Sequence, residues 1–305
     1  MQHILSALQF KKEELEIILA RAEEMEKQCK SGKIEKILQD KIVACIFFEP
    51  STRTRLSFET AALKLGAQVI SAENATENTS AFKGETIEDT TKILCSYADI
   101  VVMRHPVTLM PERASKVATK PIINAGDGTN QHPTQGLLDM YTIKKEKGRL
   151  NKLHIAFGGD LLNSRTMRGL LPLLSLYKGN TFYFISPKEL SLSKEYLKEL
   201  KDKKISYKEC KSLEEVLPIV DVLYLTRVQK ERFANMSDYE KVKDLFIFKN
   251  EQLKKLKKDA IILHALPKVN EIEREVDQDH RATYFRQAQN GLYIRMALLC
   301  EVLGL

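Results

Sequence analysis

The sequence predicts an α/β protein of two domains, each a mainly parallel sheet flanked by helices. Three observations carry this. Short apolar β-rich runs alternate with segments of helical periodicity, the alternation pauses at one long helix and then begins afresh, and 305 residues suffice for two ordinary cores. In order, Glu13–Lys30 has helical periodicity with mixed charges, Lys41–Phe48 is a β-rich run, Leu56–Gly66 is an amphipathic helix ending on glycine, and Gln68–Ser71 is a strand. Thr86–Tyr97 reads as a helix, and Ile100–Arg104 and Pro121–Asn124 read as strands. Thr134–Lys147 is a helix that stops before Gly148 and bridges the halves. Strands recur at Leu153–Gly158, Thr181–Ile185, Val222–Leu225 and Ile261–Leu263, and a last helix spans roughly Gly291–Val302.

Composition excludes several classes of protein. No apolar run approaches the ~18 residues needed to span a bilayer, and Met1-Gln2-His3-Ile4 lacks the basic end and apolar core of a signal peptide, so a cytoplasmic protein with no membrane partner is expected. The cysteines Cys29, Cys45, Cys95, Cys210 and Cys300 form no Cys-x-x-Cys pair and are expected as buried thiols, with no bound metal. A net charge of +7 raises the question of nucleic acid, but the excess lysines lie in stretches such as Lys198–Lys208 and Lys254–Lys258, without interleaved aromatics. Those stretches read as solvated helical faces, so no nucleic-acid partner is expected. A positive cleft also concentrates anionic substrates.

The strongest local signal is Ser51-Thr52-Arg53-Thr54-Arg55, where an apolar strand gives way to a helix. Main-chain N–H groups at a helix start, the partial positive charge of its dipole, small hydroxyls and a fork-shaped guanidinium together suit an anion, above all phosphate. A helix cap alone needs fewer donors than this. Arg104 arrives at the C-terminal end of an apolar strand, where ligands sit in open α/β sheets. Gly126-Asp127-Gly128-Thr129-Asn130-Gln131-His132-Pro133-Thr134-Gln135 follows another strand; its glycines allow close backbone approach, and His132 and Gln135 share a helical face. In the second half, Arg165 and Arg227 follow separate strands, a pair suited to a ligand with two carboxylates. The segment Phe157-Gly158-Gly159-Asp160 lacks the dinucleotide glycine pattern, and no phosphate loop ending in Gly-Lys-Ser/Thr occurs, which argues against nicotinamide and ATP enzymes.

Together these segments resemble the aspartate/ornithine carbamoyltransferase family, whose hallmark Ser-Thr-Arg-Thr-Arg stands at Ser51–Arg55. The resemblance runs from the first strand to Gln289-Asn290-Gly291-Leu292. It favours the aspartate branch through Arg104-His105-Pro106, Gly126–Gln135 and Thr226-Arg227-Val228-Gln229-Lys230-Glu231-Arg232. The ornithine branch uses an Asp-x-Trp-x-Ser-Met-Gly loop, and this chain has no tryptophan.

The resemblance implies transfer of the carbamoyl group of carbamoyl phosphate to the amine of L-aspartate, the committed step of pyrimidine biosynthesis, with no cofactor. It implies two interdomain helices, a carbamoyl phosphate domain of residues 1–133 and 288–305, and an aspartate domain of residues 134–287. Ser51, Thr52, Arg53 and Thr54 would bind the phosphate; Arg104, His132 and Thr54 would donate to the carbonyl oxygen; and Gln135 would orient the carbamoyl nitrogen. Arg165, Thr166, Arg227 and Gln229 would hold aspartate, while Leu266 and Pro267 would lie near the carbamoyl group, Leu266 also near aspartate. A homotrimer with shared sites is implied, Ser80 and Lys83 entering a neighbour's site and Lys83 touching both substrates. Whether regulatory chains join a larger assembly stays open.

Two departures stand out. Ala265 and Lys268 occupy His264-Ala265-Leu266-Pro267-Lys268 where relatives read His-Pro-Leu-Pro-Arg, and a single basic residue precedes Gly84 where many have two. The alternatives are transfer to another amine such as ornithine, whose cationic side chain the paired Arg165 and Arg227 would repel, and a silent anion-binding subunit, against which intact Arg53, Lys83, Arg104 and His132 argue.

Overall fold

A computed structural model describes residues 3–75, 84–230, 233 and 235–305. The chain divides into two compact units. One comprises Met1–Tyr141, Arg168–Leu173 and Gln289–Leu305; the other comprises Thr142–Met167 and Leu174–Ala288.

The first unit is built on strands β1 (Ile42–Phe47), β2 (Gln68–Glu73), β3 (Ile100–His105) and β4 (Ile122–Asp127), all parallel in the order β2-β1-β3-β4. β1, β3 and β4 are buried along almost their whole length, which is why Ile42–Phe47 and Ile100–Met103 read as continuous apolar runs, while β4 also buries Asn124 and Asp127. On one face Ala44, Ile46, Val101 and Met103 pack with Phe48, Cys95 and Ala114. Helix α1 (Lys12–Ser31) buries Leu15, Ile18, Leu19, Ala22 and Met25 at helical spacing and ends on Gly32, whose φ of 72° is the left-handed conformation a helix stop requires. Helix α2 (Thr52–Lys64) follows β1, and α3 (Ile87–Tyr97) is capped by Thr86 Oγ1, which accepts from Asp89 N at 3.2 Å. A short helix α4 (Met110–Ser115) links β3 to β4.

The second unit carries strands β5 (His154–Gly159), β6 (Thr181–Ile185), β7 (Tyr207–Cys210), β8 (Val222–Thr226) and β9 (Ile261–His264), again all parallel, in the order β7-β6-β5-β8-β9. Its core gathers Ala156, Tyr183, Leu223, Leu225 and Ile262 with Leu217, Phe246, Phe248 and Tyr284. Truncating a fully buried strand residue such as Leu223 to alanine is expected to cost about 2–5 kcal/mol. The remaining long helices are α5 (Pro133–Lys147), α6 (Arg165–Ser175), α7 (Lys194–Asp202), α8 (Met236–Val242) and α9 (Tyr284–Glu301). Both α5 and α9 have residues in each unit.

The expected α/β architecture is therefore present, with local differences. Helix α2 starts at Thr52 instead of Leu56, because the donors of Thr52–Arg55 already belong to its first turn. Helix α9 starts at Tyr284, ahead of the expected Gly291, since the face its first turns bury is Tyr284, Gln287 and Asn290, so polar residues stand where an apolar stripe would mark a helix. Strand β7 lies in a stretch read as helical: Lys194–Asp202 is helix, but Tyr207–Cys210 pairs with β6 at the sheet edge, where lysines and glutamates are tolerated. Cys45, Cys95 and Cys300 are buried thiols as expected, whereas Cys29 and Cys210 are only half-buried. No helix among the described residues is long and apolar enough to cross a membrane.

Candidate active site

In each sheet the strand order reverses direction at one point, between β1 and β3 in the first unit and between β5 and β8 in the second. Ligands of open parallel sheets bind at the carboxyl ends of the strands flanking such a point. The candidate residues Ser51–Thr54 follow β1 and Arg104 ends β3; Arg165 follows β5, and Arg227 and Gln229 follow β8.

At the β1 end, Ser51 is the residue preceding α2, yet its side chain makes no capping bond, and the first turn of α2 contains no acidic residue. The dipole of this helix is thus uncompensated by its own sequence, unlike that of α3, which has Glu88 and Asp89 in its first turn. Thr52 and Arg53 are exposed, Ser51 is half-buried and Thr54 is buried. Arg55 has a different role: its guanidinium contacts Glu59 at 3.0 Å and Glu73 at 3.1 Å, tying α2 to β2.

Arg104 is buried and touches Glu49 at 3.3 Å. Gly126 explains how it meets His132. A Cβ built on Gly126 would lie 3.2 Å from Arg104 Nη1 and 3.3 Å from His132 Cδ2, and the φ of +119° at this position also favours glycine. The missing side chain lets guanidinium and imidazole converge on one point. The loop carrying His132 is held by Asp127. Its Oδ1 accepts from Asn124 Nδ2 at 3.0 Å and Gln131 N at 3.1 Å, and its Oδ2 accepts from Leu109 N at 2.7 Å and Asn130 Nδ2 at 3.0 Å. Four bonds on one buried carboxylate fix the loop on rigid strands. One turn into α5, Gln135 Nε2 donates to Asp139 Oδ1 at 2.8 Å. A Cβ on Gly136 would lie 2.5 Å from Gly169 O, so α5 and α6 pass with their backbones in contact just beyond His132.

The second unit repeats the device with Asp160. Its carboxylate accepts from Asn163 N at 3.0 Å, from Asn163 Nδ2 and, at 3.3 Å, from Gln229 N. Burial pushes the Asp160 carboxyl above its usual range, opposed by these bonds and by the nearby Arg227 charge. Gln229 Nε2 donates to Asn163 O at 2.8 Å, which fixes the amide and leaves its oxygen as an acceptor. Gly159, with φ +107°, has no room for a side chain: a Cβ would lie 2.0 Å from Thr226 O. Arg165 and Arg227 are half-buried, and the Thr166 hydroxyl lies 3.1 Å from that of Ser164.

Leu266 and Pro267 follow β9 across a cis peptide bond, and Leu266 has φ 56°. Its N–H donates to His264 Nδ1 at 2.9 Å. Lys268, one of the departures from the family pattern, contacts Asp277 at 3.0 Å. Ser80 and Lys83 lie outside the described residues. Reading the sequence alone missed the buried carboxylates Asp127, Asp139 and Asp160 as organisers; the signals available were the three- and four-residue spacings Asn124/Asp127, Asp160/Asn163 and Gln135/Asp139. Among the described residues no cluster of His, Cys, Asp or Glu could hold a metal ion.

Two parallel-sheet units, with cationic and amide groups at the carboxyl ends of their strands and loops held by the buried carboxylates Asp127 and Asp160, have the features of an enzyme for anionic substrates. Comparison with known proteins makes this specific. Residues 2–145 match the carbamoyl-P binding domain of aspartate/ornithine carbamoyltransferases, and residues 151–302 match their Asp/Orn binding domain. The chain is 45% identical over 304 residues to the aspartate carbamoyltransferase catalytic subunit of Clostridium kluyveri, covering 100% of this chain and 98% of that one. It is 47% identical over 303 residues to the multifunctional protein pyr1-3 of Dictyostelium discoideum, covering 99% of this chain but only 14% of that much longer protein. The catalytic subunit of M. jannaschii aspartate transcarbamoylase superposes with a TM-score of 0.92 at 46% identity, over 100% of this chain and 98% of that one. The chain belongs to the aspartate/ornithine carbamoyltransferase family.

Proposed function

We propose that this chain is an aspartate carbamoyltransferase, joining carbamoyl phosphate to L-aspartate to give N-carbamoyl-L-aspartate and phosphate, a step of pyrimidine biosynthesis. The observation that carries the reading is the convergence of Arg104 and His132 at Gly126. Ser51, Thr52, Arg53 and Thr54 bind the phosphate. Arg104, His132 and Thr54 donate to the carbonyl oxygen, and Gln135, Leu266 and Pro267 contact the carbamoyl group. Arg165, Thr166, Arg227, Gln229 and Leu266 hold aspartate, with Ser80 and Lys83 completing the site from a neighbouring subunit of a homotrimer. Residues 1–133 with 288–305 serve carbamoyl phosphate and residues 134–287 serve aspartate, in a cytoplasmic enzyme.

The neutral amine of aspartate attacks the carbamoyl carbon and forms the C–N bond. The carbonyl oxygen gains negative charge, which preorganised donors stabilise; each is worth ~10²–10³ in rate. The C–O bond to phosphate then breaks, and the departing phosphate takes the amine proton. Holding both reactants removes the entropic cost of their meeting.

The test is phosphate release from carbamoyl phosphate by the purified chain with L-aspartate or L-ornithine, the product identified by mass. Carbamoylated aspartate alone is expected. Carbamoylated ornithine would overturn the assignment of Arg165 and Arg227.

A further inference from the structure

Gln135 is an amide whose two ends cannot be told apart by shape, yet only one orientation can recognise a carbamoyl nitrogen. The NH₂ of a carbamoyl group donates, so the group facing it must accept. In this protein the orientation is decided from below. Gln135 and Asp139 stand one turn apart on α5, both buried, with Gln135 Nε2 donating to Asp139 Oδ1 at 2.8 Å. An ionised carboxylate only accepts, so the NH₂ of Gln135 is committed to Asp139 and its oxygen is the half left for a ligand.

Asp139 has no exposed surface, and a buried carboxylate needs a positive partner. Arg295 on α9 is a buried cation whose field reaches Asp139. Burial lowers its guanidinium to about 10, and the Asp139 charge opposes that shift. Its position depends on two neighbours. The guanidinium lies 5.1 Å above the centre of the Phe58 ring on α2, and it occupies the space a side chain at position 291 would fill, since a Cβ on Gly291 would lie 2.2 Å from Arg295 Nη1. Gly291, Arg295, Asp139 and Gln135 all belong to one unit.

We propose that Asp139 is a positioning residue that sets specificity for the carbamoyl nitrogen, by holding the Gln135 amide with its oxygen toward the ligand. This rests on the assignment of Gln135 to carbamoyl phosphate made above. Acetyl phosphate, which carries a methyl group in place of the NH₂, is the probe that separates positioning from stability.

The experiment measures binding of carbamoyl phosphate and acetyl phosphate by calorimetry for the intact chain, Asp139→Asn, Gln135→Ala and the double variant. An asparagine can donate as well as accept, so in Asp139→Asn the Gln135 amide is free to reverse. Carbamoyl phosphate is expected to weaken on the order of tenfold, with acetyl phosphate changed less than about twofold. The double variant should discriminate no worse than Gln135→Ala, because both changes remove one recognition step. Asp139→Ser, whose hydroxyl can also both donate and accept, should reduce the preference by a similar factor and serves if Asp139→Asn fails to fold. Equal weakening of both ligands, or an unchanged ratio, overturns the inference while leaving the enzyme assignment intact. Failure of the unaltered chain to bind carbamoyl phosphate overturns both.

Discussion

His264 Nε2 lies 2.8 Å from Glu271 Oε1, and both side chains are almost wholly buried. Each partner holds main chain with its other end. His264 Nδ1 accepts from Leu266 N, and Glu271 Oε2 accepts from Val269 N and Asn270 N, both at 3.1 Å. The Nε2–Oε1 contact is close without the alignment of a hydrogen bond. The pair thus shapes the segment from Leu266 to Asn270.

Breaking the pair should be costly. Glu271→Ala is expected to destabilise the fold by about 3 kcal/mol, since it leaves the N–H groups of Val269 and Asn270 without their acceptor and removes the carboxylate beside the buried His264 ring. Denaturant unfolding measures the loss. Under conditions where the variant stays folded, KM for aspartate should rise more than affinity for phosphate falls, as Leu266 is assigned to aspartate and no phosphate ligand lies in this segment. Equal losses would remove Leu266 from the aspartate site.

Gly126→Ala should separate activity from stability. The new Cβ would press on Arg104 and His132 at 3.2 and 3.3 Å, and the positive φ would add backbone strain of roughly 1–2 kcal/mol. A fall in kcat of at least tenfold is expected with a soluble, folded protein. An unchanged kcat would mean that the two side chains do not act on the same atom.

The arginines of the second unit predict a selective defect. Arg227→Ala should raise KM for aspartate about 10–100-fold, the loss of one charge-assisted contact, with carbamoyl phosphate affinity within about twofold of normal. Steady-state kinetics with each substrate varied in turn decides this. A parallel loss of carbamoyl phosphate binding would contradict the division of ligands between the two halves.

Acid should weaken the second unit first at its ion pairs. Bonds from Arg281 hold the Asp279 carboxyl down at about 2. Burial pushes the Asp221 carboxyl up, but contacts with Lys257 at 2.6 Å and Arg149 at 3.4 Å, with the His154 N–H, outweigh it and the net shift is downward. A carboxyl depressed by folding adds stability that is complete above its unfolded value, near ~3.9, and is lost as pH falls through the folded one. Unfolding free energy should therefore drop between pH ~4 and ~2, and Asp279→Asn should flatten that slope. An unaltered slope would show that the Arg281 contact does not persist in solution.

Much of this protein was decided locally. The strands of both sheets are legible because a parallel strand covered on both faces must be apolar throughout, and Ile42–Phe47 and Val222–Thr226 are. The phosphate-binding character of Ser51–Thr54 is legible because a strand, small hydroxyls, an arginine and a helix start follow one another directly in the chain. Strand β7 was hidden because an edge strand tolerates the same lysines and glutamates as a solvated helix. What only tertiary structure decided are relationships between residues far apart in sequence. Glu73 and Glu59 hold Arg55, Gly126 makes room for Arg104 beside His132, and Asp160 accepts from Gln229 N across 69 residues. Charge and space at those points depend on which side chains the fold brings together, and a linear pattern carries no record of that.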